Sequence, residues 1–120
     1  MSRPGGRALV VDDDAALRLL ARVNLELEGF LVDEAASADE AETAVRNARP
    51  DVVLLDVHLG GVSSEGLLER LRGSGIPVAL VTGSSEVDDL RGRADAVLTK
   101  PFQPAHLVDV ARRLARVHGP

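Results

Sequence analysis

The chain of 120 residues is of ordinary single-domain size, and 45% apolar residues suffice for a core on both faces of a sheet. A formal net charge of −5 argues against nonspecific nucleic-acid binding, and the absence of cysteine excludes disulfide, iron–sulfur and thiolate chemistry. No apolar stretch approaches the length of a membrane span and no signal-peptide core is present, so we expect a cytoplasmic protein without membrane contact.

Apolar runs alternate with helical patterns along the chain, which is typical of βα units around a parallel sheet. Residues 1–7 are expected to form a flexible lead-in and residues 8–118 one domain. Strands are predicted at 8–11, 30–35, 52–55, 78–81 and 96–99. Helices are predicted at 14–28, 37–48, 65–72, 85–92 and 104–117, with a loop at 57–64. This alternation predicts a doubly wound α/β fold, flavodoxin-like, with strand order 2-1-3-4-5.

The first helix has an apolar side, with Arg18, Arg22 and Glu26 on the other side. Helical spacing predicts an inward face made of Leu17, Leu20, Ala21, Asn24 and Leu27, with Asn24 as a polar exception.

Two of the predicted strands end in carboxylates. Asp56 closes the apolar run of the third strand, and Asp12, Asp13 and Asp14 follow the first. In the order 2-1-3-4-5 these two strands flank the switch point, where open α/β sheets bind ligands. The fifth strand delivers Lys100 to the same edge. The sequence therefore predicts one site in which acidic groups meet a single amine.

The predicted cluster of Asp12, Asp13 and Asp56 needs a compensating charge. Carboxylates about 5 Å apart repel by roughly 3 kcal/mol per pair at an effective dielectric constant of 20. Such a cluster must take up protons, spread apart or bind a cation. Mg²⁺ prefers oxygen ligands and commonly uses one or two carboxylates together with phosphate oxygens. With Lys100 nearby, the pattern indicates a site for Mg²⁺ and a phosphoryl group.

Individual residues also have simpler interpretations. Asp14 is expected to cap the first helix, and a lysine such as Lys100 is most often a solvated surface side chain. Thr82, at the end of the fourth strand, could donate to a phosphoryl oxygen or could merely suit a strand. The bond between Lys100 and Pro101 could be cis, which would aim the lysine inward, or an ordinary trans turn.

Other polar residues give weaker signals. His58, His106 and His118 share no metal-ligand spacing. Ser63 and Ser64 have no base nearby and are interpreted as loop residues.

Four motifs in chain order resemble a response-regulator receiver domain of two-component signalling, over nearly the whole chain. They are Val-Val-Asp-Asp-Asp at 10–14, Pro-Asp-Val-Val-Leu-Leu-Asp at 50–56, Val-Thr-Gly at 81–83 and Lys-Pro-Phe at 100–102. The resemblance implies that Asp56 is the phosphoacceptor, taking a phosphoryl group from a histidine kinase or a histidine phosphotransfer protein. It also implies that Thr82 and Lys100 bind the phosphoryl oxygens.

The resemblance further implies a Mg²⁺ site. Asp13 and Asp56 would ligate the ion together with the backbone carbonyl of His58, and Asp12 would act mainly through water. Positioning and charge neutralisation would supply the catalysis, and the acyl phosphate would later hydrolyse. A switch that assists its own phosphorylation, not a dedicated enzyme, is therefore implied.

The chain departs from the family pattern near its expected output surface. Val97 stands where the family has an aromatic switch residue, three positions before the lysine. Thr82 and Lys100 are 18 positions apart (100 − 82), several fewer than is usual, so helix 4 should be short. The loop 59–64 lacks the family's proline and second glycine. We expect phosphorylation to shift the face of helix 4, strand 5 and helix 5, where a target protein would bind, without an aromatic rotamer change.

Three functions compete at this stage. The leading one is a stand-alone phosphorylation switch, because no output domain follows helix 5 in the sequence. The second is a receiver-shaped adaptor that binds a protein partner regardless of phosphorylation, favoured by Val97 and the short helix 4. The third, a metal-dependent phosphohydrolase, lacks a general acid, since His58 should point away from the crevice.

Overall fold

A computed structural model describes residues 6–83 and 87–117. The strands are β1 Arg7–Val11, β2 Leu31–Ala35, β3 Val52–Asp56, β4 His58–Leu59, β5 Val62–Ser63, β6 Val78–Thr82 and β7 Ala96–Thr99. The helices are α1 Ala15–Leu27, α2 Ala38–Asn47, α3 Glu65–Gly73, α4 Val87–Leu90 and α5 Pro104–Val117. β1 begins at Arg7, and residues 1–5 of the expected lead-in lie outside the described residues.

A five-stranded parallel sheet in the order β2-β1-β3-β6-β7 forms the centre of the fold. β6 and β7 are the fourth and fifth predicted strands, so the predicted order 2-1-3-4-5 and the doubly wound fold class are confirmed. The predicted loop at 57–64 instead contains a separate antiparallel hairpin, in which His58 pairs with Ser63 and Leu59 with Val62.

The sheet carries a hydrophobic core on each face, because successive side chains of a strand point to opposite sides. All five residues of β3 are buried. Val52 and Leu54 pack in the cluster that contains α1 and α5 residues, whereas Val53 and Leu55 pack in the cluster that contains α2 and α3 residues. The central strand is therefore fixed on both faces, and its last residue, Asp56, is fixed with it.

Helix α1 turns part of its predicted face inward, with Leu17 and Asn24 half-buried. Ala21 and Leu25 are buried, whereas the expected inward residues Leu20 and Leu27 are exposed. Apolar residues on two sides of this helix make the spacing ambiguous, and packing against α5 and β2 decides between them. The helix begins as predicted, because Asp14 Oδ1 accepts hydrogen bonds from Ala16 N and Leu17 N.

Helix α4 is a single turn from Val87 to Leu90, shorter than the predicted 85–92, and none of its residues is buried. Residues 85 and 86 of the predicted helix lie outside the described residues. Gly92, just after the helix, has φ of +86°, a left-handed conformation that glycine adopts easily. Among the helices that the structure describes, none has the length and apolar content to cross a membrane.

Candidate functional site

The carboxyl ends of four parallel strands bring the predicted site residues to one edge of the sheet. Asp12 follows β1 directly, Asp56 ends β3, Thr82 ends β6 and Lys100 follows β7. In the register of the sheet, Asp56 lies beside Val81, next to Thr82. Residues far apart in sequence meet here because the strands share one direction.

Three carboxylates form a compact cluster at this edge. Asp12, Asp13 and Asp56 each offer a carboxylate oxygen, and these oxygens lie within 4.8 Å of one another. Asp12 and Asp56 are buried, and Asp13 is exposed. A set of donors made only of oxygens suits a hard divalent cation. The cluster could thus hold a metal ion.

Lys100 compensates part of this negative charge. Its Nζ lies 3.2 Å from Asp56 Oδ2 and 3.5 Å from Asp12 Oδ2. The peptide bond between Lys100 and Pro101, for which cis and trans were both possible from the sequence, is cis. Lys100 is also the only lysine in the sequence. The single ammonium group of the chain outside its terminus therefore lies against two buried carboxylates.

The charges of the site shift the pKa values of Asp12 and Lys100. Burial raises the pKa of Asp12, with a further increase from the Asp56 charge, against opposing contributions from the Asp14 N–H and from Lys100. Burial disfavours the charged form of Lys100, but attraction to Asp12 and Asp56 and hydrogen bonds to both outweigh it, so the pKa of Lys100 is raised. The ammonium form of Lys100 is thus secured at neutral pH.

Backbone groups hold the acidic pair in place. Asp12 Oδ1 accepts a hydrogen bond of 2.9 Å from Asp14 N, and Asp13 Oδ2 accepts one of 3.1 Å from Gly60 N. Gly60 and Gly61 have φ of +59° and +83°, the left-handed pair that a tight two-residue hairpin turn requires. The hairpin that the sequence analysis missed therefore brings a backbone N–H group to a site carboxylate.

Asp56 is held through both its side chain and its backbone. Its Oδ1 accepts a hydrogen bond of 3.2 Å from His58 N, and its backbone oxygen accepts one of 2.7 Å from Ser64 Oγ. Ser64 also donates to Val57 O, and it is buried in the connection between β5 and α3, so the residue lies in a loop as predicted and in addition holds the backbone of Asp56. Its position directly before α3 was the available sequence signal. His58 lies at the start of the hairpin, and a ligand role for its carbonyl stays a prediction.

Thr82 has a hydroxyl group without a hydrogen-bond partner among the residues that the structure describes. The residue is 2% exposed, and Oγ1 makes no hydrogen bond to any part of the chain that the structure describes. A buried unsatisfied polar group costs about 1–3 kcal/mol. The Thr82 carbonyl, by contrast, accepts a hydrogen bond of 2.7 Å from Lys100 N. A ligand with acceptor oxygens placed between Asp56 and Lys100 would satisfy the hydroxyl.

Two other candidate residues are not part of this cluster. Val97 is half-buried and, like Leu90 and Ala94, packs against the core on the α2 and α3 side of the sheet. His106 is exposed on α5. His118 lies outside the described residues.

Comparisons with known proteins agree with this architecture. Residues 8–112 match the family model described as the response regulator receiver domain. The chain is 40% identical over 116 residues to the DNA-binding response regulator MtrA of Mycobacterium tuberculosis, covering 92% of this chain and 50% of MtrA. It is 35% identical over 124 residues to the phosphate regulon transcriptional regulatory protein PhoB of Pseudomonas aeruginosa, covering 97% of this chain and 54% of PhoB. The chain thus spans about half the length of these curated relatives.

Solved structures show the same fold. The receiver domain of NtrX from Brucella abortus has a TM-score of 0.84 at 29% identity, covering 91% of this chain and 98% of that one. The CheY-like receiver domain protein from Methanospirillum hungatei has a TM-score of 0.80 at 31% identity, covering 94% and 98% of the two chains.

Proposed function

Because the chain belongs to the response regulator receiver domain family, we propose that it is a signalling switch controlled by phosphorylation of Asp56. The phosphoryl donor is a phosphohistidine of a histidine kinase or of a histidine phosphotransfer protein. A carboxylate oxygen of Asp56 bonds to phosphorus as the bond from phosphorus to the imidazole nitrogen breaks, and the imidazole leaves with the electron pair. The product is an acyl phosphate on Asp56.

The observation that carries this proposal is the presence of two hydrogen-bond donors, Lys100 and Thr82, beside Asp56. Lys100 Nζ is 3.2 Å from the Asp56 carboxylate, and the buried Thr82 hydroxyl has no hydrogen-bond partner among the described residues. A phosphoryl group on Asp56 would give both of them acceptor oxygens. Fixed donors of this kind stabilise the charge of the transition state without having to reorganise.

The acidic cluster supports a Mg²⁺ requirement. We assign Asp13 and Asp56 as direct ligands, with the backbone carbonyl of His58, and Asp12 as a ligand acting through water. The bound ion would offset the negative charge that accumulates when a phosphoryl group approaches three carboxylates. The protein's own contribution is to hold these carboxylates and Lys100 in place before the donor arrives.

Hydrolysis of the acyl phosphate resets the switch. Water attacks phosphorus, the bond to the Asp56 oxygen breaks, and inorganic phosphate leaves while the carboxylate is restored. The chain assists this step with the same groups, so it acts as a self-resetting phosphoprotein and not as an enzyme with its own turnover substrate.

The output of the switch is proposed at the face formed by α4, β7 and α5, where a target protein would bind. MtrA and PhoB are named as a DNA-binding regulator and a transcriptional regulator, but about half of each lies beyond the matched region. For this domain itself we propose partner proteins in the cytoplasm, and no direct contact with nucleic acid or membrane.

The decisive test is phosphorylation by a small acyl-phosphate donor with Mg²⁺, followed by intact-protein mass spectrometry. The wild type should gain one phosphoryl group, and Asp56→Asn should gain none. Asp51→Asn is a matched control, because Asp51 lies just before β3, at the other end of that strand. Equal labelling of the Asp56→Asn variant, or no labelling of the wild type, would refute the assignment.

A second candidate function rests on the altered output face. With Val97 in place of an aromatic residue and α4 reduced to Val87–Leu90, the domain would bind a protein partner regardless of phosphorylation. The two functions differ in one measurement. Wild-type protein and Asp56→Asn are both treated with the acyl-phosphate donor, and their affinities for the partner protein are compared. Equal affinities indicate an adaptor, and different affinities indicate a switch.

A further inference from the structure

Arg18 connects helix α1 to the backbone of the acidic cluster. Its Nη1 donates a hydrogen bond of 2.7 Å to the backbone oxygen of Asp12, and its Nε donates one of 3.1 Å to Glu34 Oε1. The Arg18 side chain is 18% exposed. One guanidinium group thus spans α1, the end of β1 and the end of β2.

The carbonyl that Arg18 contacts belongs to the peptide group joining Asp12 to Asp13. The preceding peptide group is fixed by a hydrogen bond of 3.0 Å from Asp12 N to Ala35 O. The backbone on either side of Asp12 is therefore held by two separate contacts. Rotation of the peptide between Asp12 and Asp13 would displace both carboxylates relative to Asp56, which belongs to another strand.

A neighbouring arginine makes part of the same network without touching the site. Arg22 Nη1 donates to Glu34 Oε2 at 2.9 Å, and Arg22 Nε donates to Glu26 Oε2 at 3.1 Å. Both arginines pair with Glu34, but of the two, Arg18 alone donates a hydrogen bond to the Asp12 carbonyl among the described contacts. The carboxylate of Glu34 offsets the charge of Arg18, so the contact with the carbonyl, more than a long-range field, distinguishes Arg18 from Arg22.

We propose that Arg18 is a positioning residue for the divalent-cation site, acting by fixing the Asp12–Asp13 peptide so that the carboxylates of both residues face Asp56. This inference rests on the proposed function, since it assigns a supporting role toward the same site. Replacing a residue that hydrogen-bonds to metal-ligating residues, without contacting the ion itself, commonly changes the metal affinity by about 10- to 100-fold.

The test compares three variants by isothermal titration calorimetry with MgCl₂, a method that suits a chain without tryptophan or tyrosine. Arg18→Met should weaken Mg²⁺ binding about 10-fold. Arg18→Lys should fall between wild type and Arg18→Met, because an ammonium group can reach the carbonyl but lacks the planar fork that also holds Glu34. Arg22→Met, which leaves the Asp12 contact intact, should bind Mg²⁺ within about twofold of wild type, as expected for a surface ion pair.

A second measurement separates positioning from general stability. The rate of phosphorylation by the acyl-phosphate donor is followed against Mg²⁺ concentration. In Arg18→Met the half-saturating Mg²⁺ concentration should rise about 10-fold while the rate at saturating Mg²⁺ stays close to that of wild type. If Arg18→Met fails to fold, as judged by circular dichroism, Arg18→Lys carries the same comparison.

Three results overturn the inference. Arg18→Met and Arg22→Met could shift Mg²⁺ affinity equally, which would reduce Arg18 to a member of the ion-pair network. Arg18→Met could bind Mg²⁺ more tightly than wild type, which would show that the loss of positive charge matters more than the contact. Absence of Mg²⁺ uptake by the wild type would instead remove the proposed metal site itself, and with it any positioning role.

Discussion

The site edge of the sheet, where Asp12, Asp56 and Thr82 lie, differs from the output face of α4, β7 and α5 in how it is held. These three residues are at most 7% exposed, and each belongs to or directly follows a strand of the sheet. On the output face, α4 is a single turn with no buried residue. A turn of this length has little stability of its own and depends on its neighbours. Asp12, Asp56 and Thr82 are thus held firmly by the sheet, whereas α4, which belongs to the proposed partner-binding face, has few contacts to hold it in place.

The largest expected effect tests whether the chemistry depends on the site edge alone. Lys100→Met should lower the rate of Asp56 phosphorylation by roughly 100-fold, because the ammonium group 3.2 Å from the carboxylate is lost. The rate is measured by mass spectrometry over time at fixed donor and Mg²⁺ concentrations.

Arg91→Met serves as the control for this substitution. It also removes one positive charge, but from an ion pair with Asp88 on the output face, where the Arg91 side chain is 72% exposed. Its phosphorylation rate should match that of wild type. Equal rates for Lys100→Met and Arg91→Met would show that nearby charge has no special role at the site.

A stability comparison within β7 locates the boundary between rigid and weakly anchored parts. Leu98→Ala should lower the free energy of unfolding by about 2–5 kcal/mol, because the side chain is fully buried. Val97→Ala, one residue earlier and half-buried, should cost about 1 kcal/mol or less. Urea unfolding followed by circular dichroism measures both. Similar losses for the two variants would mean that the Val97 side of β7 is packed as firmly as the Leu98 side.

The smallest expected effect concerns Glu34, which Arg18 and Arg22 hold beside the site. Hydrogen bonds from Arg22 and Arg18 lower the pKa of Glu34 below its ordinary value of 4.5, against an opposing effect of burial. A carboxyl group whose pKa is lowered by folding stabilises the folded state above its unfolded pKa and loses this contribution as the pH falls through the folded pKa. Glu34→Gln should therefore destabilise the protein at pH 7 by about 0.5–1 kcal/mol.

The difference between Glu34→Gln and wild type should disappear in acid, below the lowered pKa of Glu34. Asp88→Asn on the output face provides the contrast, because its side chain is 97% exposed and its ion pair should contribute almost nothing at either pH. Unfolding curves at pH 7 and at acidic pH measure both variants. A Glu34→Gln effect that persists unchanged in acid would show that the carboxylate charge is not its cause.

The same contrast explains how much the sequence could predict. The strand order and the meeting of Asp12, Asp13, Asp56, Thr82 and Lys100 followed from apolar runs that each end in a polar residue. Sheet hydrogen bonding determines where such ends lie, so local patterns carry the information. Mg²⁺ binding and the His58 carbonyl ligand stay predictions.

Three features were not fully predicted from the sequence: the β4–β5 hairpin, the inward face of α1 and the contact of Arg18 with the Asp12 carbonyl. Gly60-Gly61 between two-residue strands is a hairpin signal that was present in the sequence but was interpreted as a loop. Only part of the inward face of α1 was predicted from spacing, because leucines occupy both sides of the helix. The contact between Arg18 and the Asp12 carbonyl could not be predicted, because every residue has a backbone carbonyl and the amino-acid type does not show which one is contacted.

The position of Lys100 has a practical consequence for any work that couples this protein to a surface or a dye. The lysine side chains open to amine-reactive chemistry are limited to Lys100, so a fraction of randomly conjugated molecules would carry a modified group beside the proposed phosphoacceptor, Asp56. Since the chain contains no cysteine, a single thiol introduced on an exposed residue far from the site offers a unique attachment point. Immobilisation through that thiol would leave the ammonium group available to the phosphoryl donor.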